Sequence, residues 1–330
     1  MKERLVTWDI AKGLCIILVV IGHYYPENAP EWYSAIHNFI YSFHMPVFLF
    51  ISGFIYMATQ KDVPYGTFVM KKVKRLIIPY ISTSVIIIAL KLVSQSFLYV
   101  ENPVTCMSFT EILYKPAAGY FLWFIWVLWL AFLIVPFFDT VKRRLLLFAF
   151  SAAIYIVPFD LGSLGEYFCL REFKEMFVFF TTGMLSYDFK EKISRLAPLR
   201  ILFIAAFLVS EFIYLFHPGI IDAGVLKFAT SVLGIYTVYA VSKAAENRRT
   251  CGILVRTGAM SYMIYLFHTT FEGFAKGVID KTGWLSLSGS DIGFTVNAAF
   301  VVAAGIIAPL LLQRYVFQRF RTTRFLFGLK

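Results

Sequence analysis

Charged residues are scarce in this chain of 330 residues. They make up 15% of it, hydrophobic residues make up 59%, and the mean hydropathy is +0.72. A soluble domain carries about a quarter charged residues and roughly half apolar ones, so this composition excludes an ordinary soluble domain. The apolar residues fall in runs long enough to cross hydrocarbon, which takes about 20 helical residues. The composition therefore predicts a protein embedded in a lipid bilayer.

Cysteine is also rare, and its spacing excludes the common metal motifs. None of the four cysteines forms a CxxC pair, and no His, Asp, Glu and Cys set has the spacing of metal ligands, so we expect no metal site. Two of them, Cys106 and Cys169, fall in predicted outer loops, where oxidising conditions permit a disulfide. The sequence leaves their pairing open.

The hydropathy pattern predicts an all-α bundle of about ten transmembrane helices. Connections between the apolar runs are short and no composition shift marks a boundary, so we expect one membrane domain over 1–330. The predicted segments are 10–25, 39–59, 76–99, 118–138, 144–159, 174–189, 199–217, 223–243, 258–278 and 292–313.

The net charge of +11 does not indicate a nucleic-acid partner, because the basic residues form short clusters between apolar runs. They concentrate in every second loop, which the positive-inside rule assigns, together with both termini, to the cytoplasm. The basic residues of that side are Lys2, Arg4, Lys61, Lys71, Lys72, Lys74, Arg75, Lys142, Arg143, Arg144, Lys190, Lys192, Arg195, Arg200, Lys243, Arg248, Arg249, Arg256, Arg314, Arg319, Arg321, Arg324 and Lys330. The opposite loops hold Lys115, Arg171, Lys174, Lys276 and Lys281.

The first predicted helix carries three ionisable residues, Asp9, Lys12 and His23. Such residues are costly in lipid and usually face the interior of a bundle or a wet cavity. Eleven residues separate Lys12 from His23, so the two share a helix face about 16 Å apart. Asp9 can pair with Lys12 across one turn. The spacing equally allows Lys12 to snorkel to the interface and His23 to end the helix.

The second predicted helix contains His37 and His44, seven residues apart and nearly on one face. Pro46 removes a backbone donor beside His44 and can bend the helix there. Ser52 and Gly53 allow a neighbouring helix or a substrate to approach closely. A proline-kinked helix with interhelical histidine hydrogen bonds explains the same pattern without a ligand.

Two further elements carry candidate residues. The stretch KKVKRLIIPY at 71–80 places Lys72 and Arg75 where they can bind phosphates. Taken alone, the basic cluster favours the other interpretation, a signal for membrane insertion with anionic lipid contacts. SYMIYLFH places His268 in the ninth segment, with Tyr262 nearby. Glu211, Glu272 and Lys227 also fall in apolar segments, and no role follows from that alone.

In order along the chain, these motifs resemble the acyltransferase 3 family of bacterial membrane acyltransferases, in particular its branch similar to fucose 4-O-acetylases. The family's first helix has Asp-x-x-[Arg/Lys]-Gly, and ten residues separate the Arg or Lys from a histidine. Asp9, Lys12 and His23 match this pattern. FHMPVFLFISGF resembles its second-helix signature, and Lys72-x-x-Arg75 with Pro79-Tyr80 resembles its R-x-x-R-I-x-P-x-Y element. Trp123 and the run from Tyr262 to His268 resemble later patches.

The resemblance implies an O-acyltransferase, most simply an O-acetyltransferase, of the bacterial cytoplasmic (inner) membrane. His23 corresponds to the catalytic histidine, a general base on an acceptor hydroxyl. Lys12, Lys72 and Arg75 correspond to residues that handle acyl-CoA, the co-substrate; no bound cofactor is implied. The acceptor is a sugar or glycolipid, and glycan-assembly proteins are implied as partners. His37, His44, Ser52, Asp9, Trp123, Tyr262 and His268 are supporting candidates.

One departure from the family pattern weighs against this assignment. Lysine replaces the commoner arginine at positions 12 and 72, which puts bidentate phosphate contacts there in doubt. The alternative function is a polysaccharide exporter or secondary transporter, in which the same intramembrane charges line a translocation path. An inverted repeat would favour the transporter, and the hydropathy pattern shows no convincing one.

Overall fold

The computed structural model describes residues 5–27, 29–97, 100, 102–217, 219–247, 251–282 and 290–329. Within these ranges the chain is helical and contains no strand, which confirms the predicted all-α fold. Five basic residues of the topology argument, Lys2, Arg4, Arg248, Arg249 and Lys330, lie outside the described residues.

The α-helices are α1 Val6–His23, α2 Glu31–Thr59, α3 Tyr65–Lys72, α4 Ile78–Ser94, α5 Ser108–Glu111, α6 Trp123–Ile134, α7 Val141–Ile156, α8 Leu170–Asp188, α9 Lys190–Ser194, α10 Arg200–Phe216, α11 Ala223–Ala245, α12 Cys251–Ala259, α13 Ser261–Thr282, α14 Asp291–Leu312 and α15 Arg321–Leu326. Turns of π-helix at Val73–Ile77 and Gln313–Phe317 extend α3 and α14. Short 3₁₀ segments lie at Tyr120–Leu122, Val135–Phe137, Gly162–Cys169 and Ala197–Leu199.

Every predicted apolar segment falls on a helix. In the described part of the chain, seven helical runs are long and apolar enough to cross a membrane: Val6–His23, Glu31–Thr59, Tyr65–Ser94, Tyr120–Phe137, Ala197–Phe216, Ala223–Ala245 and Asp291–Phe317. The other three segments are α7, which has 16 residues, and α8 and α13, which carry several ionisable residues. The protein is thus a multi-pass membrane protein, while ten crossings and cytoplasmic termini stay predictions.

Two helices begin two or more turns earlier than their hydropathy indicated. The second starts at Glu31 rather than 39, because the Pro30 carbonyl accepts the amides of Tyr33 and Ser34 and starts a polar first stretch. The third begins at Tyr65 rather than 76, so the basic cluster at 71–75 is helical rather than a loop. Polar helical turns beyond the apolar run give no hydropathy signal, which explains both differences.

The chain folds into two compact units. The first comprises Met1–Ile51 and Phe189–Leu310, and the second Ser52–Asp188 and Leu311–Lys330. Helices α2 and α14 continue from one unit into the other. The single domain expected over 1–330 stays a prediction.

In the first unit, glycines allow α1 and α12 to approach to backbone contact. A Cβ at Gly258 would lie 1.8 Å from the Asp9 carbonyl oxygen, and one at Gly13 would lie 2.2 Å from the Leu254 carbonyl oxygen. Close helix contact through small residues is a common means of association in membranes, where no hydrophobic effect drives helices together. This contact fixes how α1 is rotated about its own axis.

Pro46 lies inside α2 of the first unit and has no amide to bond the Ser42 carbonyl one turn earlier. The Ser231 hydroxyl of α11 donates to that carbonyl at 2.9 Å. The Ser42 hydroxyl itself bonds the buried Glu211 carboxylate of α10. The backbone acceptor that proline frees is therefore satisfied from a neighbouring helix, as lipid requires.

The second unit is held by a close helix contact and a buried ion pair. A Cβ at Gly53 would lie 2.0 Å from the Phe180 carbonyl oxygen of α8. Arg144 of α7 donates to both carboxylate oxygens of Asp188, at 2.7 and 3.0 Å, and to the Asp139 carbonyl at 2.6 Å. Arg144, which the topology argument used as a cytoplasmic marker, thus also ties α7 to the end of α8.

The α1–α12 contact yields a stability prediction. We expect Gly258→Ala to lower the free energy of unfolding by about 1–3 kcal/mol, because the added methyl forces the helices apart. Thermal unfolding of the purified protein in detergent measures it. Gly252→Ala in the same helix is the matched control, since nothing lies within 4 Å of its Cβ position. Equal stability of the two variants would contradict the proposed packing.

Candidate functional site

Four histidines of the first unit come together around one tyrosine. The rings of His23 and His268 meet edge to face, with centroids 4.8 Å apart. Tyr41 lies 6.2 Å from His23, 4.8 Å from His44 and 4.2 Å from His37, on which it stacks. The helices α1, α2 and α13 thus contribute to one histidine cluster, which comprises His23, His37, Tyr41, His44 and His268.

Backbone contacts determine which ring nitrogen carries the proton in the two buried histidines. The Nδ1 atom of His268 lies 2.9 Å from the Tyr265 carbonyl and 3.1 Å from the Ile264 carbonyl. A carbonyl accepts hydrogen bonds and cannot donate, so Nδ1 bears the hydrogen. In the neutral ring Nε2 then carries a lone pair. His44, whose Nδ1 lies 2.7 Å from the Ile40 carbonyl, has the same tautomer.

His23 and His37 are half-buried, whereas His44 and His268 are 3% and 0% exposed. His23 occupies the last position of α1, and its ring contacts two other helices. His37 is stacked between Tyr25 and Tyr41, each with ring centroids 4.2 Å away. His23 and His37 are therefore the two more exposed imidazoles of the cluster.

Two residues near this cluster were not singled out as candidates from the sequence. Tyr41 sits one helical turn from both His37 and His44, a spacing that would have indicated it. Glu272 lies one turn beyond His268 and is 3% exposed, and a Cβ at Gly305 would lie 3.0 Å from its Oε1 atom. The sequence signal for Glu272 was an acidic residue within an apolar segment.

Asp9 and Lys12 form the predicted ion pair, with Nζ and Oδ1 2.8 Å apart. Both side chains are partly exposed, at 16% and 23%. Helix α1 is unbroken from Val6 to His23, so Lys12 and His23 lie within about 20° of one another around it. Lys12 is therefore a cation already paired with a carboxylate.

Lys72 and Arg75 belong to the second unit and differ in their surroundings. The Lys72 Nζ atom lies 3.2 Å from the centroid of the Phe132 ring, a cation–π contact that points it into the aromatic core. Arg75 is exposed and lies in the π-turn Val73–Ile77. The π-turn precedes Pro79, which has no amide to continue the α-helical pattern, and such turns are frequent at functional sites.

Next to Arg75, a basic groove of about 360 Å³ is lined by Gly66, Thr67, Met70, Lys71 and Lys74. Lys71 and Lys74 are both exposed. The groove therefore offers ammonium groups together with a helix surface. The exposed cations are Lys71, Lys74 and Arg75, rather than Lys72.

Three candidates remain to be described, Ser52, Trp123 and Tyr262. Ser52 and Trp123 are half-buried residues of the second unit. Trp126, three residues after Trp123, is the more buried of the two and packs against Tyr80 and Phe168. Tyr262 belongs to the first unit, and its ring is parallel to that of Tyr265, with centroids 6.5 Å apart.

Over residues 5–314 the chain matches the acyltransferase domain of the acyltransferase 3 family. It is similar to nodulation protein NolL of Sinorhizobium fredii (strain NBRC 101917 / NGR234), 36% identical over 83 residues that cover 24% of this chain and 23% of that protein. NolL of Mesorhizobium japonicum (strain LMG 29417 / CECT 9101 / MAFF 303099) is 32% identical over 95 residues, 27% of this chain and 26% of that protein. The chain thus aligns with about a quarter of the length of these relatives. No solved structure matches it significantly.

The burial of the histidines yields a labelling prediction. We expect diethyl pyrocarbonate to modify His23 and His37 well before His44 and His268, because an enclosed ring cannot meet the reagent. Peptide mass spectrometry after brief treatment of the detergent-purified protein measures the order. The exposed His217 is the internal standard for an accessible ring. Equal modification of all five would show that the cluster is open.

Proposed function

The chain belongs to the acyltransferase 3 family, and from that premise we propose that this membrane acyltransferase moves an acetyl group from acetyl-CoA to a hydroxyl of a cell-surface or lipid-linked sugar. The observation that carries the proposal is the edge-to-face contact of His23 with His268. A bacterial inner membrane suits the reaction, because it separates a cytoplasmic acyl-CoA pool from glycans assembled on the other side. Glycan-assembly proteins would then supply the acceptor.

His23 acts as the general base in this proposal. The ring of His268 packs edge to face against that of His23, with centroids 4.8 Å apart, and in the proposal this contact holds the His23 imidazole in one orientation. An imidazole oriented in this way is ready to take a proton from an acceptor hydroxyl. His268 is thus a positioning residue, and its own orientation is held by two backbone carbonyls.

The proposed transfer accounts for the proton, the acyl group and the leaving group over one catalytic cycle. As His23 takes the hydroxyl proton, the sugar oxygen attacks the thioester carbonyl and forms the C–O bond of the ester. The C–S bond breaks, and the CoA thiolate leaves. The imidazolium of His23 returns its proton to that thiolate, so the free enzyme and CoA are restored without a metal or a bound cofactor.

The donor's phosphates are assigned to the basic groove of the second unit. Arg75 is exposed at the π-turn, and Lys71 and Lys74 line the groove beside it. Guanidinium binds phosphate in a bidentate manner, whereas ammonium groups act as point charges, so Arg75 gives the geometric specificity. Lys72 is turned towards the Phe132 ring and is not among the residues that line the groove.

Lys12 takes a secondary role. Because Asp9 holds its ammonium at 2.8 Å, a phosphate that binds Lys12 must compete with a carboxylate. The pair keeps an ionised lysine within α1 at low cost, since each charge has a partner. Lys12 can then assist the donor by exchanging Asp9 for a phosphate.

The base assignment yields the first activity prediction. We expect His23→Ala to lower transfer of labelled acetyl from acetyl-CoA to membrane glycan by about 10²–10⁴-fold, because the hydroxyl keeps its proton. Transfer is measured in membranes that contain equal amounts of each variant. His217→Ala, a histidine exposed to its surroundings, is the control and should be active. Wild-type transfer by His23→Ala would remove His23 as the base.

The assignment of the donor phosphates yields the second activity prediction. We expect Arg75→Ala to raise the KM for acetyl-CoA roughly 10- to 100-fold with a smaller change in kcat, since a charge-assisted hydrogen bond contributes about 1.5–3 kcal/mol. Arg143→Ala removes another exposed arginine of the second unit and serves as the control. An unchanged KM in Arg75→Ala would place the phosphates elsewhere.

A further inference from the structure

The second unit contains a cavity of about 380 Å³ that the proposed chemistry does not use. Its volume falls in the range of small-ligand sites, about 300–1,000 Å³. The residues around it come from the segment before α6, from the 3₁₀ segment Gly162–Cys169 and from the first turn of α8, which the charge pattern assigns to the outer side. They include Lys115, Tyr120, Glu166, Cys169, Arg171 and Glu172.

Hydrogen bonds from residues outside the cavity lining hold its walls in place. The hydroxyl of Tyr80, a residue of the motif that resembles the family, donates to the carbonyls of Ile112 and Lys115, both at 2.9 Å. The Phe168 amide donates to the Tyr114 carbonyl at 2.6 Å. Hydrogen bonds from two different segments therefore hold the turn at 112–115 in place without a ligand.

The opposite wall carries an unusual backbone conformation. Phe168 and Cys169 have φ angles of 55° and 56°, a left-handed conformation that is uncommon outside glycine. Phe168 is held there by its contact with the Trp126 ring, with centroids 5.2 Å apart. Strained residues persist where the surroundings enforce them, often at ligand sites.

The charges around the cavity balance and are partly paired. The Tyr120 hydroxyl bonds the Glu172 carboxylate, and the Lys115 ammonium bonds Glu111 at 2.9 Å. Arg171 bonds the Gly162 carbonyl at 3.4 Å, and Glu166 also lines the space. With cations and carboxylates in near balance, neither an anion nor a cation gains a net attraction. A lining that offers both donors and acceptors instead suits hydroxyl groups, each of which both donates and accepts.

Two features define the ligand further. Tyr120 is 66% exposed, so its ring offers a flat apolar face at the rim for the C–H face of a sugar ring. Cys169 is buried, and burial together with the Glu172 carboxylate raises the pKa of its thiol. A protonated thiol is a poor nucleophile, so covalent attachment of the ligand is not indicated.

We propose that this cavity binds a neutral glycosyl unit of the acceptor, with the Tyr120 ring as the stacking surface and Arg171, Glu166 and Glu172 as hydroxyl partners. The inference that the bound sugar belongs to the acceptor rests on the proposed function. The inference that the cavity binds a sugar does not depend on His23.

Binding is tested with the full-length protein in detergent, on an array of neutral and acidic mono- and disaccharides. We expect retention of at least one neutral sugar, weakened roughly five- to ten-fold by Tyr120→Ala and by Arg171→Ala, in line with the loss of one contact. Tyr120→Phe keeps the ring and should lose less. Leu164→Ala alters a 64% exposed residue of the same segment outside the cavity lining and should bind as the wild type does.

The outcomes separate this inference from the proposed function. His23→Ala should keep full sugar binding while it loses transfer, which supports both. Full transfer by His23→Ala with sugar binding that still depends on Tyr120 would overturn the base and keep the cavity site. Binding of glucuronate or inorganic phosphate alone, no binding of any neutral sugar, or equal binding by Tyr120→Ala, Arg171→Ala and wild type at matched helix content would overturn the cavity site.

Discussion

Backbone contact between α1 and α12 is the constraint on which the histidine cluster depends. Gly13 and Gly258 let the two helices touch without intervening side chains, and this fixes the rotation of α1 about its axis. Because helical residues are about 100° apart, that rotation decides the direction of every other side chain on α1. With α1 so turned, His23 meets His268 at one end and Lys12 pairs with Asp9 near the other.

The backbone carbonyl that a proline frees inside the bundle is bonded by a neighbouring helix. Pro46 frees the Ser42 carbonyl, and Ser231 bonds it, so α2 continues through the proline next to His44. In the second unit Pro79 follows a π-turn that presents Arg75. Each of these two prolines thus lies within about one helical turn of a candidate residue, and at each the backbone departs from uninterrupted α-helical bonding.

The proposed activity divides its tasks between rigid elements. Buried histidines with fixed tautomers orient the base, exposed cations on a helical surface hold phosphates, and a braced turn forms the cavity for the acceptor. Tyr80 links the phosphate-binding segment to the acceptor cavity. It follows Pro79 directly in the sequence, and its hydroxyl bonds the turn at 112–115. A motif that first indicated donor binding therefore also supports a separate cavity.

Composition and periodicity by themselves determined the all-α membrane fold, a helix at each of ten segments and the Asp9–Lys12 pair, because these depend on hydropathy and on neighbours within one turn. The tertiary structure alone decided that Tyr41 lies at the centre of the histidines, that Lys72 faces Phe132 while Arg75 stays exposed, and that distant segments enclose a cavity beside Tyr120. Helical periodicity gives the angle between residues of one helix. It does not give the rotation of one helix against another, which is set by contacts such as that between Gly258 and the Asp9 carbonyl.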